Sequence, residues 1–119
     1  MYKNKIIGDY GEDLACNYLC RHGYVVIERN YRFSHLEIDI IANFKEKIVF
    51  IEVKTRTSDR YGTADEAVNS KKTGNLNRAV CCYLSKNNIF HENIRLDLIA
   101  VDIDKIKKVA YIKHYKDIV

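Results

Sequence analysis

The sequence predicts an α/β fold in which a mixed central β-sheet is flanked by helices, in the order α-β-β-β-α-β-β. Two stretches, residues 5–22 and 70–85, repeat apolar side chains at three- and four-residue steps, as amphipathic helices do. Five other stretches alternate apolar and polar residues or form short apolar runs, which is typical of strands. Because helices and strands are interspersed along only 119 residues, we expect a single domain spanning residues 1–119.

The first predicted helix, residues 5–22, is followed by Gly23, a residue that commonly ends a helix. Glu12 lies near the edge of the apolar stripe of this helix. Most glutamates in such a place are simply solvated. The alternative is that Glu12 leans over the sheet and adds an oxygen ligand to a site there. Residues 24–31 then form the first predicted strand.

The next stretch, residues 36–56, predicts the central hairpin of the sheet. Two β-branched, apolar strands are joined by polar residues 43–47, which have the length and composition of a hairpin connection. Each strand nevertheless carries charge in its middle. A carboxylate inside an apolar strand costs several kcal/mol unless a partner or a metal compensates it. The charged positions are therefore candidates for a functional site.

The hairpin register brings three charged groups together. A turn at Lys45 and Glu46 places Asp39 opposite Glu52, and Glu52 and Lys54 leave the same face of their strand. Opposed residues have Cβ atoms about 4.5–5.5 Å apart, which lets two carboxylates share one divalent cation. The alternative is a buried salt bridge of Asp39 or Glu52 with Lys54. We favour the metal interpretation because all three groups share one face of adjacent core strands.

Basic residues near the second helix are candidate phosphate contacts. Lys71 and Lys72 fall in the first turn of the helix predicted over residues 70–85. Cations there oppose the helix dipole, but ammonium groups beside free backbone N–H groups suit a phosphate. Arg56, in the loop predicted after the third strand, is a further candidate. Lysines kept for solubility and a solvated loop arginine are the alternatives.

Two more strands are predicted after the second helix, over residues 94–103 and 109–115. The first of these strands alternates, and we expect Asp97 on its polar face. The second is amphipathic, which suits an edge of the sheet.

The composition is that of an ordinary globular protein with a mild positive charge. The chain is 47% hydrophobic and 30% charged, with a formal net charge of +4, which is compatible with a nucleic-acid partner. No apolar run has the length of a membrane span, and the N-terminus turns acidic too early for a signal peptide. We therefore expect a cytoplasmic location and no membrane partner.

The four cysteines are interpreted as reduced thiols. Cys16, Cys20, Cys81 and Cys82 lack the CxxC spacing of a usual zinc site. A zinc site built from Cys16, Cys20 and His22 is the less favoured alternative.

Several short motifs carry a resemblance to a known family. They are Gly-x-x-Gly-Glu at residues 8–12, Arg-Asn-Tyr-Arg at 29–32, Glu-Ile-Asp-Ile-Ile-Ala at 37–42 and Val-Phe-Ile-Glu-Val-Lys-Thr-Arg at 49–56. Together they resemble the YraN family of small uncharacterised bacterial proteins. That family is similar to the PD-(D/E)xK nuclease superfamily, which includes restriction endonucleases and archaeal Holliday-junction resolvases. The resemblance covers residues 5–102.

The resemblance implies a restriction-endonuclease-like core and a Mg²⁺- or Mn²⁺-dependent hydrolysis of DNA. Asp39 and Glu52 would match the metal-binding carboxylates of the superfamily. Lys54 would match the lysine that orients or activates the attacking water. Glu12 would match the first-helix glutamate that often completes the metal shell, and Lys72 the lysine that opens the second helix.

Two positions depart from the family pattern. Leu36 stands where the family usually has glycine, and Thr73 stands where it commonly has glutamine. Leu36 bears on the conformation of the loop before the hairpin. Thr73 bears on the contact that the second helix makes with the substrate.

Two classes of function follow from these observations. The first is an endonuclease that hydrolyses phosphodiester bonds in DNA, including branched or structured DNA, in preference to RNA. The second is a nucleic-acid-binding module on a nuclease-like scaffold with no turnover of its own. The small size and modest charge favour a partner or a homodimer for gripping a duplex. A purely structural protein would leave the charges of Asp39, Glu52 and Lys54 unexplained.

Overall fold

The computed structural model describes residues 2–57, 70–89 and 93–118. It confirms the predicted α/β class and the order α-β-β-β-α-β-β. The elements are α1 Tyr2–Arg21, β1 Val25–Phe33, β2 Leu36–Phe44, β3 Lys47–Thr57, α2 Ser70–Lys86, β4 Ile94–Asp104 and β5 Val109–Tyr115.

The five strands form one mixed sheet in the order β1-β2-β3-β4-β5. Strands β3 and β4 are parallel, and the other neighbouring pairs are antiparallel. A parallel pair needs a crossover connection, and the chain between β3 and β4 contains α2. Strand β5 lies at an edge of the sheet, as its amphipathic pattern predicted.

Each helix covers one face of the sheet. The α1-side core consists of Ala15, Leu19, Tyr24, Ile40, Ala42, Val49, Ile51, Ile99 and Val101. The α2-side core consists of Leu36, Ile38, Ile41, Ile48, Phe50, Leu76, Ala79, Val80, Tyr83 and Leu96. Because the central strands are buried on both faces, their sequences are nearly continuous apolar runs.

Helix α1 ends where the sequence predicted. Gly23 has a φ of 90°, a left-handed conformation that glycine adopts without a steric penalty. The main-chain N–H of Tyr24 donates to the carbonyl of Leu19 over 3.0 Å, which closes the helix in a Schellman-type motif. The chain therefore turns directly from α1 into β1.

The β2–β3 hairpin has the predicted register. Phe44 pairs with Lys47, and the two residues between them form the turn. Lys45 has a φ of 56°, as expected in a two-residue hairpin loop. The antiparallel ladder runs as far as the pair Ile40–Ile51.

Leu36 has a packing role in place of the glycine that the family pattern usually has there. Its side chain is buried in the α2-side core. The left-handed residue of the β1–β2 connection is Ser34, with a φ of 59°. Since Leu36 does not adopt a positive φ, its backbone does not need glycine.

The prediction that Asp97 lies on a polar strand face is wrong. Asp97 is fully buried, and its carboxylate accepts hydrogen bonds from Arg95 Nε (2.9 Å), His114 Nε2 (2.6 Å) and the main-chain N–H of Asp117 (3.0 Å). Burial alone would raise the pKa of Asp97, but the hydrogen bonds from His114 and Arg95 lower it below its usual value. These partners make burial of the charge tolerable.

Candidate functional site

An open cleft of about 510 Å³ lies between the N-terminal part of α1 and strands β1 to β3. It is lined by Lys5, Ile7, Gly8, Asp9, Glu12, Asn30, Arg32, Glu37, Asp39, Val53, Lys54, Thr55 and Thr57. Three of the predicted site residues, Glu12, Asp39 and Lys54, meet there although they come from three different elements.

Asp39 lies one residue beyond the end of the β2–β3 ladder, on the side away from the hairpin turn. The last pair of that ladder is Ile40–Ile51. Beyond it, the main-chain N–H of Val53 donates to Oδ2 of Asp39 over 2.8 Å. A side-chain carboxylate thus takes a main-chain donor of β3, and this contact fixes the orientation of Asp39 in the cleft.

Strand β2 changes its facing at Asp39. Ile38 belongs to the α2-side core and Ile40 to the α1-side core. In a regular strand, residues two apart face the same side. The strand therefore rotates at Asp39, which lets the carboxylate leave the sheet between the two cores.

Strand β1, which pairs with β2, is also irregular at the residue opposite Asp39. Arg29 pairs with Ile40 and Tyr31 pairs with Ile38. Between Arg29 and Tyr31 lies Asn30, with a φ of 53°. In the described register no pair joins Asn30 to Asp39, so the irregularities of β1 and β2 lie side by side.

Asp39 is the most strongly perturbed acid of the cleft. Burial raises its pKa to about 7, and the negative charges of Glu12, Glu52 and Glu37 add to the increase. The hydrogen bond from the Val53 N–H lowers the pKa of Asp39. A dominant ion pair with Lys54 would lower the pKa of Asp39, so the raised pKa disfavours the Asp39–Lys54 form of the salt-bridge alternative and leaves the Glu52–Lys54 form open.

Glu12 is buried and is contacted from β1. Nη2 of Arg29 lies 3.3 Å from Glu12 Oε1 and 2.9 Å from Asp13 Oδ1. Burial raises the pKa of Glu12, whereas Arg29 and a hydrogen bond from the Asn30 side chain lower it. The structure therefore places this glutamate over the sheet rather than in solvent.

Gly11 allows α1 to approach β3 beside Glu12. A Cβ atom at Gly11 would lie 1.9 Å from Oγ1 of Thr55 and 2.8 Å from its Cβ. No side chain fits in that space without movement of the helix or the strand. The glycine therefore sets the distance between Glu12 on α1 and the residues around Lys54 on β3.

Glu52 lies beside the cleft and is not among the described residues that line it. It is partly buried and directly follows the last β2–β3 pair, and its charge contributes to the raised pKa of Asp39. Lys54 does line the cleft and shares a strand face with Glu52.

The predicted phosphate contacts are only partly described. The prediction that Arg56 lies in a loop is wrong, because β3 extends to Thr57 and includes Arg56 as a partly buried residue near its end. Lys71, Lys72 and Thr73 belong to the first turn of α2, and their side chains lie outside the described residues.

Sequence reasoning did not assign a role to Asn30, Arg32 or Glu37, which line the cleft. A signal existed for Asn30. Asparagine is depleted in strands, yet this one lies inside a predicted strand, and asparagine tolerates the left-handed conformation better than most residues.

The carboxylates of the site fit a hard divalent cation. Glu12, Asp39 and Glu52 offer oxygen donors alone, which suit Mg²⁺ and Mn²⁺. Burial, together with the neighbouring carboxylates, raises the pKa of Asp39 to about 7, and a bound cation would offset both effects. Among the described residues no three His, Cys, Asp or Glu side chains are already gathered as a ligand set.

The cysteines do not form a second candidate centre in the described parts of the chain. All four are free thiols, and Cys20 is exposed. Nδ1 of His22, the third residue of the zinc alternative, lies 2.8 Å from the carbonyl oxygen of Tyr18. Burial raises the pKa of Cys16, which disfavours the thiolate that zinc requires.

Neither helix combines the length and the apolar character that crossing a bilayer requires, as far as the described residues extend.

Comparison with known proteins places the chain in a family. The model of "Uncharacterised protein family UPF0102" matches residues 11–101, a range that contains Glu12, Asp39, Glu52 and Lys54. The chain belongs to the UPF0102 family. This is the YraN family that the motifs resembled.

Individual UPF0102 proteins are similar over nearly the whole chain. One from Alkaliphilus oremlandii is 45% identical over 116 residues, which is 96% of this chain and 97% of that protein. One from Clostridium kluyveri is 42% identical over 114 residues, or 96% and 93% of the two chains. One from Syntrophomonas wolfei is 39% identical over 101 residues, or 85% and 88%.

Proposed function

We propose that this UPF0102 protein is a Mg²⁺- or Mn²⁺-dependent endonuclease that hydrolyses phosphodiester bonds in DNA, with branched or structured DNA among its substrates. The observation that supports this most is the meeting of Glu12, Asp39 and Lys54 in one open cleft. In that cleft the pKa of Asp39 is raised to about 7 by burial and by neighbouring carboxylates.

Asp39, Glu52 and Glu12 are the residues that would hold the cation, together with the main-chain carbonyl of Val53. When bound, the cation supplies positive charge that lowers the pKa of the attacking water and offsets charge on the leaving oxygen. The Val53 N–H holds Oδ2 of Asp39 over 2.8 Å, so we assign the other oxygen to the cation.

Lys54 would act on the reacting phosphate and its water. Its side chain lines the cleft near Asp39, and its ammonium is a compact positive charge with three donors. It would orient the attacking water and share the negative charge that develops in the transition state.

Affinity for the substrate would come mainly from phosphate contacts. We assign these to Arg56, Lys71 and Lys72, which would position the DNA without reading its sequence. A cleft of about 510 Å³ on a 119-residue protein offers a small footprint on a duplex. We therefore include a homodimer in the proposal.

The test is a cleavage assay with Mn²⁺ on labelled duplex, single-stranded, flapped and four-way-junction DNA, with an RNA duplex beside them. Wild type is compared with Asp39→Asn and Lys54→Ala. Cleavage of any DNA substrate that both substitutions abolish is the expected result. Cleavage that survives Asp39→Asn would reject the site. That change removes a proposed metal ligand, while the asparagine side-chain oxygen can still accept the hydrogen bond from the Val53 N–H.

A catalytically silent nucleic-acid-binding module is the second candidate. It is favoured by the contact between Arg29 and Glu12, which occupies one of the proposed ligands, and by the lack of a gathered ligand set among the described side chains. This candidate predicts DNA binding that is unchanged by EDTA, together with no cleavage of any substrate by wild type. The nuclease proposal predicts cleavage that EDTA abolishes.

A further inference from the structure

The turn between β4 and β5 is a basic element that the proposed chemistry does not use. This basic turn consists of Lys105, Ile106, Lys107 and Lys108, and all four side chains are exposed. Ile106 is 90% exposed, more than any other large apolar side chain in the described part of the chain. A single exposed isoleucine is ordinary. Its place among three cations is what distinguishes this turn.

The fold holds the backbone of the basic turn in a fixed shape. Oδ1 of Asp104 accepts hydrogen bonds from the main-chain N–H groups of Ile106 and Lys107, each over 3.0 Å. Just before and after the turn, Ile103 and Ala110 pair with each other and pack against the α1-side core. The turn is therefore built onto the sheet, so that a ligand would not have to order its backbone.

The positive charges of the basic turn are not paired within the described structure. The nearest carboxylate along the chain, Asp104, accepts main-chain N–H groups of the turn itself. Among the residues that the structure describes, no ion pair includes Lys105, Lys107 or Lys108. With Asp104 included, residues 104–108 carry a formal charge of +2. Such a group of exposed cations attracts a polyanion.

The basic turn lies at the same end of the sheet as the candidate cleft. Strands β3 and β4 are parallel, and Thr57, which lines the cleft, pairs with Ile103. Strands lie about 4.8 Å apart and rise about 3.3 Å per residue, so Ile106 is on the order of 10–15 Å from Thr57. At about 3.4 Å for each base pair, a duplex that passes the cleft would meet the turn about three to four base pairs further on.

We propose that the basic turn is a second nucleic-acid contact, which grips the duplex beside the cleft: its three lysines bind backbone phosphates, and Ile106 makes an apolar contact in the groove between them. That this duplex is the substrate of the cleft rests on the function proposed above. The contact would enlarge the small footprint of the cleft on DNA. The competing explanation is that the lysines are solvated and bind nothing.

The β2–β3 turn provides a matched control. Lys45 and Lys47 are exposed there, and Lys45 has a φ of 56°, beside 57° for Lys108 in the basic turn. The two turns lie at opposite ends of the parallel β3–β4 pair, about 30 Å apart along the strands. Lys107→Ala with Lys108→Ala and Lys45→Ala with Lys47→Ala therefore remove the same charge from the same kind of turn.

The first measurement is the affinity for a labelled DNA duplex in EDTA, by fluorescence anisotropy at several salt concentrations. Loss of two phosphate contacts predicts that the slope of log K against log salt concentration becomes shallower by about 1.8 in the Lys107/Lys108 variant, with no change in the Lys45/Lys47 variant. Ile106→Ser should weaken binding about tenfold at an unchanged slope, because an apolar contact releases no counterions. Equal slopes in the two double variants, or no DNA binding by wild type, would overturn the inference.

The second measurement locates the contact directly. Lysines are acetylated with acetic anhydride and identified by mass spectrometry, with and without the duplex. We expect DNA to protect Lys105, Lys107 and Lys108 and to leave Lys45 and Lys47 reactive. An apolar tip between lysines would also suit an anionic bilayer. Protection by phosphatidylserine vesicles but not by DNA would overturn the inference in favour of a membrane surface.

Cleavage assays on the same variants separate this inference from the proposed function. If wild type cleaves DNA, and the Lys107/Lys108 variant binds and cleaves as the control variant does, the inference fails and the proposed function stands. If DNA binding depends on the basic turn while wild type cleaves no substrate, the inference holds and the endonuclease proposal fails.

Discussion

The main-chain N–H of Val53 donates a hydrogen bond to Oδ2 of Asp39 over 2.8 Å, one step beyond the last pair of the β2–β3 ladder. The acceptor is a partly buried carboxylate, and burial, with smaller contributions from the charges of Glu12, Glu52 and Glu37, raises its pKa to about 7. Asp39 is thus held in place by the backbone, while burial and, to a smaller extent, the neighbouring carboxylates disfavour its charge. Ionisation of such a group lowers the free energy of unfolding when no cation is bound.

Asp39 should make stability fall as the pH rises. Its pKa rises from a usual value of 3.8 to about 7 on folding, so the folded state binds the proton more tightly in that window. The free energy of unfolding therefore decreases between about pH 4 and pH 7, by at most on the order of 4 kcal/mol. Asp39→Asn removes this titration and should match wild type near pH 4 but exceed it above pH 7. Urea unfolding in EDTA measures both curves.

The same experiment tests the salt-bridge alternative. An Asp39 paired with Lys54 would have a lowered pKa, and its ionised form would stabilise the fold at neutral pH. Asp39→Asn would then be less stable than wild type above pH 7. That outcome would return Asp39 and Lys54 to a structural role.

Alanine at Gly11 should destabilise the protein although alanine favours helices. The added Cβ would lie 1.9 Å from Oγ1 of Thr55. We expect a loss of about 1–3 kcal/mol, typical of overpacking. Gly8→Ala is the matched control in the same helix, because its added Cβ would meet no atom within 4 Å other than those of its chain neighbours and the backbone of its own helix. It should be neutral or stabilise by up to about 1 kcal/mol. Thermal and urea unfolding of the two variants gives the comparison.

A rescue experiment checks the cause of the Gly11 effect. Thr55→Ala removes the two nearest of the three Thr55 atoms that the new Cβ would meet. The double variant should therefore recover part of the stability lost in Gly11→Ala, so the two effects should not add. Strict additivity would show that the helix does not contact β3 at Thr55.

The buried Asp97 network should contribute strongly to stability. Asp97→Ala would leave Arg95, whose side chain is only 12% exposed, and the buried His114 without their carboxylate. Removing one partner of such a pair typically costs about 3–5 kcal/mol. The exposed pair Lys5–Asp9, 3.6 Å apart, is the control, and Asp9→Ala should cost less than about 1 kcal/mol. Similar losses in urea unfolding at pH 7 would contradict this assignment.

The hairpin and its charged residues were predictable because their geometry is local. A period of two and a two-residue turn fix the register, which is confirmed as far as the pair Ile40–Ile51. The expected Asp39–Glu52 pair would come next, but the ladder stops before it. The buried state of Asp97 was not predictable in this way. It depends on His114 and Asp117, which come from the end of the chain and meet Asp97 only in the folded sheet. From the alternating pattern alone, an aspartate in a strand is predicted to face solvent.

Asn30 escaped prediction for a related reason. A strand pattern gives each residue one face by its parity, and a single left-handed residue reverses the parity of everything that follows. Arg29, the residue before Asn30, contacts Glu12 and Asp13 on α1, and the strand pattern gives no sign of these partners. The sequence identified the elements and the ligand candidates, while the cleft required the packing of α1 on the sheet.

DNA binding should weaken steeply with salt, and Lys71 and Lys72 should account for part of the slope. For duplex DNA the slope of log K against log salt concentration is about −0.9 for each phosphate contact. Replacing both lysines by alanine should therefore make it shallower by about 1.8. Lys45→Ala with Lys47→Ala removes the same charge at the β2–β3 turn, where Lys47 lies about 23 Å along β3 from Lys54. Fluorescence anisotropy in EDTA, at several salt concentrations, measures both slopes. An equal effect of the two double variants would mean that net charge, rather than contact at the opening of α2, governs binding.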